Sequence, residues 1–283
     1  MKRKIALLSS RRAPKNHDDE LAAVALSASA RYTVDFVPWN SEVKWETYHA
    51  AIIRSTWDYT QHIDDYLRTL RGIEAAGVRL FNSSSTVQWN HHKGYLKELA
   101  EEGVFVVPTL FFKDGEDITP PTDWACERFI LKPCISASAM NTTIITREQL
   151  RDKSYQSRMF TADWMLQPFL ENIVDGEISL HYFGGEFSHG VIKVPKAGDF
   201  RVQEEHGGVF APYQPTTELQ KLAQGILAKV QQPPLYARVD LIPYKNSFAL
   251  MELELIEPFL NFCHHPKAPG NFLAAVDRRM KES

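Results

Sequence analysis

The chain has 283 residues, 44% of them apolar, which is enough to bury a sizeable core and suits two or three small lobes better than one. Its 32 basic and 35 acidic side chains leave a formal charge of −3, so no broad electrostatic footprint for nucleic acid or an anionic membrane exists, and small molecules are the expected partners. Cys126, Cys134 and Cys263 lack CxxC spacing and indicate neither a disulfide framework nor a zinc site. No run of about 18 apolar residues appears, and the apolar stretch Ile5–Leu8 after the basic start is too short for a signal peptide, so a cytoplasmic protein without a membrane span is expected.

In chain order, KIALL, YTVDFVPW, AAIIRST and VRLFNS read as strands, with helices over Asp18–Ala30 and Ile63–Ala76. This rhythm predicts a small α/β lobe with a mainly parallel sheet over residues 1–84. Ligands of such sheets sit at the carboxyl ends of strands, which makes Arg54, Ser55, Trp57, Asp58 and Asn82 candidate substrate contacts. A helix from Val87 to about Glu102 and the β-rich VFVVPTLFF open a central lobe, residues 85–165, with RFILKP, the loop CISASAMNT and a helix over Thr146–Lys153. Residues 166–283 form a third lobe: the strands MLQPFL, EISLHYF and FSHGVIKVP, a loop AGDFRVQEEHGGVFAPYQ, a helix over Thr216–Val230, then a hairpin and tail. The loop around His206–Gly208 is a candidate lid.

The hairpin YARVDLIPYKNSFALMELELIEP carries most of the chemical information. A three-residue turn at Lys245–Asn246–Ser247 pairs Tyr244 with Phe248, Ile242 with Leu250, Asp240 with Glu252 and Arg238 with Glu254. Side chains two apart share a face, so Arg238, Asp240, Glu252 and Glu254 project together, while Val239, Leu241, Met251, Leu253 and Leu255 enter a core. Carboxylates facing each other across strands repel by a few tenths to about 1 kcal/mol. A cation is therefore expected among them, and hard carboxylate oxygens completed by water and phosphate are how Mg2+ is held beside a nucleotide. Arg238 is left as a fixed cation for an oxyanion formed during reaction. The pairs His91–His92 and His264–His265 do not indicate a metal, because sequence neighbours rarely aim at one ion.

R-x-D on one strand and E-x-E on the next, with Pro258 four residues on, resembles the ATP-grasp carboxylate–amine ligases, of the branch containing glutathione synthetase, D-alanine ligase and RimK-type enzymes. Cycloserine synthetase-like members are the nearest in pattern. The resemblance implies an ATP-grasp fold of α/β class preceded by a small α/β domain. It also implies ATP and Mg2+, with Mn2+ as a substitute, as cofactors. By the same resemblance, Lys93 in NHHKGYLKEL and Lys132 in FILKP reach the nucleotide, and Ser136 and Ser138 belong to the phosphate-covering loop. Gln167, Pro168, Phe169 and Leu170 form the hinge strand against adenine, Glu177 takes the ribose, and Lys193 and Arg201 serve phosphate or acyl phosphate. Asp240, Glu252 and Glu254 become the metal ligands and Arg238, assisted by Arg201, the catalytic groups. The tail segment EPFLNFCHHPKAPGNF is close to the hairpin, which makes Glu257 and Asn261 candidates for the substrate pocket, with core packing as the alternative. The loop over 135–141 lacks the family's glycines, and a positive φ is costly at alanine.

The activity implied is formation of an amide from a small amino-acid-like carboxylate and an amine, through an acyl phosphate, between two molecules or by ring closure. Modification of a protein or peptide, or a nucleotide-binding module without catalysis, are the alternatives. Family members are often dimers or tetramers, which makes a homo-oligomer the corresponding expectation.

Overall fold

The computed structural model describes residues 2–11, 16–113, 116, 118–137, 139–152 and 163–282. Four strands, β1 (Arg3–Ser9), β2 (Tyr32–Pro38), β3 (Ala50–Ile53) and β4 (Arg79–Phe81), form a parallel sheet in the order β2-β1-β3-β4. Parallel strands need crossovers that cover both faces. Ile5 and Leu7 accordingly pack toward α1 (His17–Ala28), and Ala6 and Leu8 toward α2 (Ile63–Ala75).

The central sheet is antiparallel, with β5 (Leu110–Phe112), β6 (Arg128–Pro133), β7 (Thr143–Thr146) and β8 (Trp164–Pro168) in the order β5-β8-β6-β7. Thr146 and Gln149 close a capping box that starts the short helix α5 (Arg147–Arg151). The third sheet contains β9 (Glu177–Phe183), β10 (Glu186–Val194), β11 (Val209–Tyr213), β12 (Tyr236–Tyr244) and β13 (Ser247–Glu254) in the order β11-β10-β9-β12-β13. Its apolar face is covered by α6 (Thr217–Leu227) and by α4 (Tyr95–Glu101), through Leu219, Ala223, Tyr95 and Leu99.

Several expected boundaries move. The helix expected over 87–102 is two helices, α3 (Ser84–Asn90) and α4, with Lys93 in the break. The Lys93 N–H donates to the carbonyl of Cys134 at 2.8 Å, a long-range bond that replaces the helical one. VFVVPTLFF is strand only at 110–112, with Val106 bridging Leu250. The stretch read as loop after β10 includes β11, paired with β10 through Lys193 and Phe210. Because β8 belongs to the central sheet, a lobe boundary at 165/166 would cut a strand; the sheets change after Pro168. The tail folds into α7 (Ala268–Arg279), whose Phe272, Ala275 and Val276 join the core of the N-terminal lobe beside Leu26 of α1.

The hairpin keeps the expected register at Arg238 with Glu254 and Asp240 with Glu252, then departs from it. A bulge after Asp240 makes Met251 the extra residue, and the turn is two residues, Lys245–Asn246, so Tyr244 faces Ser247 and Ile242 faces Ala249. An extra residue shifts face. Met251 therefore leaves the core expected for it and packs with Ile242, Phe169 and Phe200, whereas Leu250 enters the core with Val239 and Leu253.

Candidate active site

The N-terminal lobe is stapled to the hairpin by buried side chains. Asn82 donates to the carbonyls of Tyr236 (2.9 Å) and Leu255 (2.6 Å), and its Oδ1 accepts from the Leu235 N–H at 2.7 Å. Asn90 bridges Leu253 and Leu255 in the same way, and the Tyr236 hydroxyl donates to the Ile53 and Ile256 carbonyls. These bonds hold the hairpin beside a cavity lined from all three lobes, Asn90 and Leu253 among its walls.

Its walls from the central lobe and the third sheet carry Lys93, Lys132, Ser136, Gln167, Pro168, Phe169, Leu170, Glu177 and Lys193, the residues the resemblance singled out for nucleotide. Phe169, Leu170, Phe200, Ile242 and Met251 line an apolar slot suited to a flat ring. Phe200 and Met251 were not legible beforehand: Met251 reaches the slot through the bulge, and Phe200 through a loop contact with Phe169 at 6.2 Å. Ser138 lies outside the described residues. Gln167 donates to Thr109 Oγ1 at 2.9 Å, which orients its amide.

Lys93, Lys193 and Arg238 are held by carboxylates. Lys93 Nζ lies 3.0 Å from Glu252 Oε1 and donates to the Ser136 carbonyl at 3.0 Å, tying the hairpin to the loop after β6. Lys193 Nζ lies 2.5 Å from Glu177 Oε1 and 3.5 Å from Asp240 Oδ2. Arg238 donates through Nη2 to Asp240 Oδ2 at 2.9 Å, through Nε to Oδ1 at 3.0 Å, and to Glu254. Desolvation lowers the Lys132 ammonium. Burial opposes ionisation of Asp240 and Glu252, yet Arg238 holds the former and Lys93 the latter below their ordinary range. Glu254 goes the other way: burial, with Asp240 and Glu252 nearby, outweighs Arg238 and pushes it up to about 7.

Glu252 and Glu254 line the cavity; Asp240 does not. It is 2% exposed and its oxygens accept from Arg238 and Ser179, so of the expected acidic trio two face the cavity and the third stands behind them. Among the described residues no three His, Cys, Asp or Glu side chains converge as metal ligands. The fit to Mg2+ rests on Glu252 and Glu254. They offer hard oxygens on one face, and the raised Glu254 marks surplus negative charge that a divalent ion would relieve.

Arg238 and Arg201 both line the cavity, but Arg201 is turned onto Asp199, with Nη2 to Oδ2 at 2.8 Å. Of the expected substrate contacts, Trp57 and Glu257 line the cavity. Arg54, Ser55, Asp58 and Asn82 do not. Arg54 is 1% exposed and pairs with Asp19 at 3.0 Å and the Pro258 carbonyl; Ser55 donates to Asp19, and Asp58 accepts from Trp39 Nε1 at 2.8 Å. Arg54 thus ties the N-terminal lobe to the tail, as Asn82 ties it to the hairpin, whereas Ser55 and Asp58 bond within the N-terminal lobe. Tyr59, Phe259 and Asn261 also line the cavity; Tyr59 comes from the segment after Asp58, and its contribution was not legible in the sequence.

The loop after β6 holds Ala139 at φ 52° and Asn141 at φ 58°, a conformation that costs an alanine about 1–2 kcal/mol. Ala139→Gly is therefore expected to raise stability by about 0.5–1 kcal/mol in urea unfolding. A fall would show that the methyl group's contacts outweigh the strain.

Behind Arg238, its ladder partner His181 stacks on His189 with ring centroids 4.3 Å apart. Burial holds His181 well below its ordinary value and pushes His189 down to about 4. An unfolded histidine takes its proton near pH 6.5, before the folded one does, so stability is lost as pH falls from 6.5 toward 4. His189 alone is expected to cost about 2 kcal/mol between pH 7 and 5. Urea unfolding at the two pH values checks this, and His189→Gln should flatten the dependence.

Residues 5–82 match the family model for the N-terminal domain of D-cycloserine synthetase DcsG. The cycloserine biosynthesis protein DcsG of Streptomyces lavendulae is 26% identical over 277 residues, covering 88% of this chain and 89% of that one. A crystal structure of D-cycloserine synthetase DcsG superposes with a TM-score of 0.85 at 22% identity, over 98% of this chain and 100% of the other. D-alanine–D-alanine ligase from Bacillus anthracis complexed with ATP gives 0.70 at 13% identity, over 98% and 97% of the two chains. The ATP-grasp ligase PsnB complexed with minimal precursor, Mg and ADP gives 0.67 at 14%, over 98% of each. The chain has the fold of these ATP-grasp ligases. In sequence it is similar, over 88% of its length, to the cycloserine biosynthesis protein. No helix among the described residues is long and apolar enough to cross a membrane.

Proposed function

We propose that this protein is an ATP- and Mg2+-dependent ligase that joins a small amino-acid-like carboxylate to an amine through an acyl phosphate, with ring closure within one substrate as the form its similarity to cycloserine synthetase favours. The observation that carries the reading is one cavity in which Lys93, Lys132, Lys193 and Arg238 stand beside Glu252 and Glu254, next to an apolar slot for a base. A divalent cation bound by Glu252 and Glu254 would neutralise phosphate charge and polarise the phosphoryl oxygens.

The protein's own groups do the rest. Phe169, Leu170 and Met251 seat the base, and Glu177 at the end of β9 receives the ribose hydroxyls. Lys93 and Lys132, from the two sides of the loop after β6, draw the phosphates toward the hairpin. A carboxylate oxygen of the substrate displaces ADP from the γ-phosphorus, giving the acyl phosphate. When the amine adds to its carbonyl carbon, negative charge gathers on the carbonyl oxygen, and Arg238 is the fixed donor for it; phosphate then leaves. The N-terminal lobe closes the cavity with Trp57 and Tyr59 and keeps water from the acyl phosphate.

Small substrates are favoured because aromatic side chains close that end of the cavity. Assignment of the protein to the cytoplasm and to a homo-oligomer belongs to the same reading. Phosphate release from ATP against amino acids, dipeptides and O-substituted serines tests it. Release that requires both Mg2+ and one small carboxylic acid is expected; ATP turnover indifferent to every acid would contradict it.

A further inference from the structure

Arg201 and Arg238 are gripped in the same way, each by a carboxylate two residues away. Nε donates to Oδ1 and Nη2 to Oδ2, at 3.1 and 2.8 Å for Arg201 with Asp199 and at 3.0 and 2.9 Å for Arg238 with Asp240. Both arginines line the cavity and neither aspartate does, so each carboxylate stands behind its arginine. A carboxylate that competed with an incoming anion would stand in front. The two arginines differ at the far end of the fork. Arg238 donates from Nη1 to the Phe259 carbonyl and from Nη2 to Glu254, whereas Arg201 makes no bond from Nη1 among the described residues, and its side chain is 36% exposed. A guanidinium has N–H groups on all three nitrogens, so with Nε and Nη2 on Asp199 the Nη1 end of Arg201 is left for a ligand.

Asp199 also shapes the backbone. Its Oδ1 accepts from the N–H groups of Phe200 at 2.7 Å and of Arg201 at 3.0 Å, so one side chain fixes both the turn and the guanidinium. The Arg201 guanidinium, helped by these N–H groups, holds Asp199 well below the usual carboxylate range, and the pair stays charged at neutral pH. The turn is anchored on both sides: Phe200 meets Phe169 of the base slot at 6.2 Å, and Val202 is buried with Val107, Ile173 and Ile242. Gly208 closes the loop over that anchor. A Cβ there would fall 1.9 Å from the Val202 carbonyl oxygen, so a side chain at 208 would push the turn apart. An arginine fork held on so fixed a turn loses little entropy when it takes an anion.

The geometry points to Asp199 as a positioning residue: it grips the Nε–Nη2 side of Arg201 and so presents the Nη1 end to the terminal phosphoryl group of a bound nucleoside triphosphate. This rests on the ligase reading above, but only on its nucleotide site and not on the amide-forming step. Asp199 touches no ligand itself; its effect passes through Arg201.

Calorimetric titration of the full chain with Mg2+ and either ADP or adenylyl imidodiphosphate, whose terminal phosphoryl group is not transferred, isolates that contact. The wild type should bind the imidodiphosphate more tightly. Arg201→Gln should weaken it about tenfold and move ADP by less than about twofold, because a charge-assisted bond to the extra group is lost. Asp199→Asn keeps an oxygen for both backbone N–H groups but sets an amide NH2 against Nη2, so it should reproduce most of that selective loss. Arg201→Lys leaves Asp199 and the charge in place without the fork; it should do the same, and it carries the test should the asparagine variant fail to fold. Added to Arg201→Gln, Asp199→Asn should change nothing further. Equal losses with both nucleotides, or an undiminished effect in the double variant, would mean that Asp199 only holds the loop together, and either overturns the inference. Tighter imidodiphosphate binding by Asp199→Asn also overturns it, by making Asp199 the anion's competitor. A wild type that binds neither nucleotide overturns it together with the ligase reading, whereas nucleotide discrimination without acid-dependent phosphate release overturns the ligase reading alone.

Discussion

Arg238→Ala should lower kcat by a hundredfold or more, and it should also lower stability. The two losses have separate causes. Removing one donor that faces a developing oxyanion typically costs about 2.7–4 kcal/mol of barrier, which is the rate effect. The same guanidinium neutralises Asp240, at 2.9 Å, and Glu254, and taking it away leaves buried carboxylates unpaired at about 3–5 kcal/mol. Arg238→Lys keeps a charge but loses the fork that reaches both acids, so most of the stability should return and little of the rate. Steady-state kinetics with unchanged turnover in the alanine variant would remove Arg238 from the chemistry.

The second large effect is expected at Lys93. Its ammonium joins Glu252 on the hairpin to the Ser136 carbonyl on the loop that covers phosphate, so one side chain links the two walls of the nucleotide site. Lys93→Met should weaken MgADP binding by at least about tenfold. It should also destabilise the fold by about 3 kcal/mol, near the low end for a broken buried pair because Glu252 retains 28% of its side-chain exposure. Adding Glu252→Gln removes the stranded charge, so the double variant should recover stability while nucleotide binding stays lost. Recovery of both, measured by calorimetry and urea unfolding, would show that Lys93 acts only on the fold.

Much of this architecture follows from local pattern. The period-two alternation and an assumed three-residue turn placed Arg238 against Glu254 and Asp240 against Glu252; those pairs hold because the extra residue of the bulge offsets the shorter, two-residue turn. The alternation of the N-terminal strands and helices gave the parallel sheet because each crossover is local. What was not legible depends on contacts distant in sequence. A bulge leaves the alternation intact as text while turning Met251 to the other face. Arg54 resembles an active-site residue until Asp19 of α1 is known to meet it, and the tail gives no sign that Phe272 will pack beside Leu26. The break at Lys93 likewise depends on the Cys134 carbonyl, 41 residues away. Asp240 shows the limit for charge: the pattern brought three acids together, but only packing decides that one of them faces its own arginine.

The central claim is that a substrate carboxylate takes the γ-phosphoryl group of ATP in this cavity. Turnover of an acid labelled with oxygen-18 in its carboxylate, followed by mass analysis of the released phosphate, tests it most directly. One labelled oxygen per phosphate, with ADP as the other product, is the result expected. Unlabelled phosphate, or release of AMP and pyrophosphate, would contradict it.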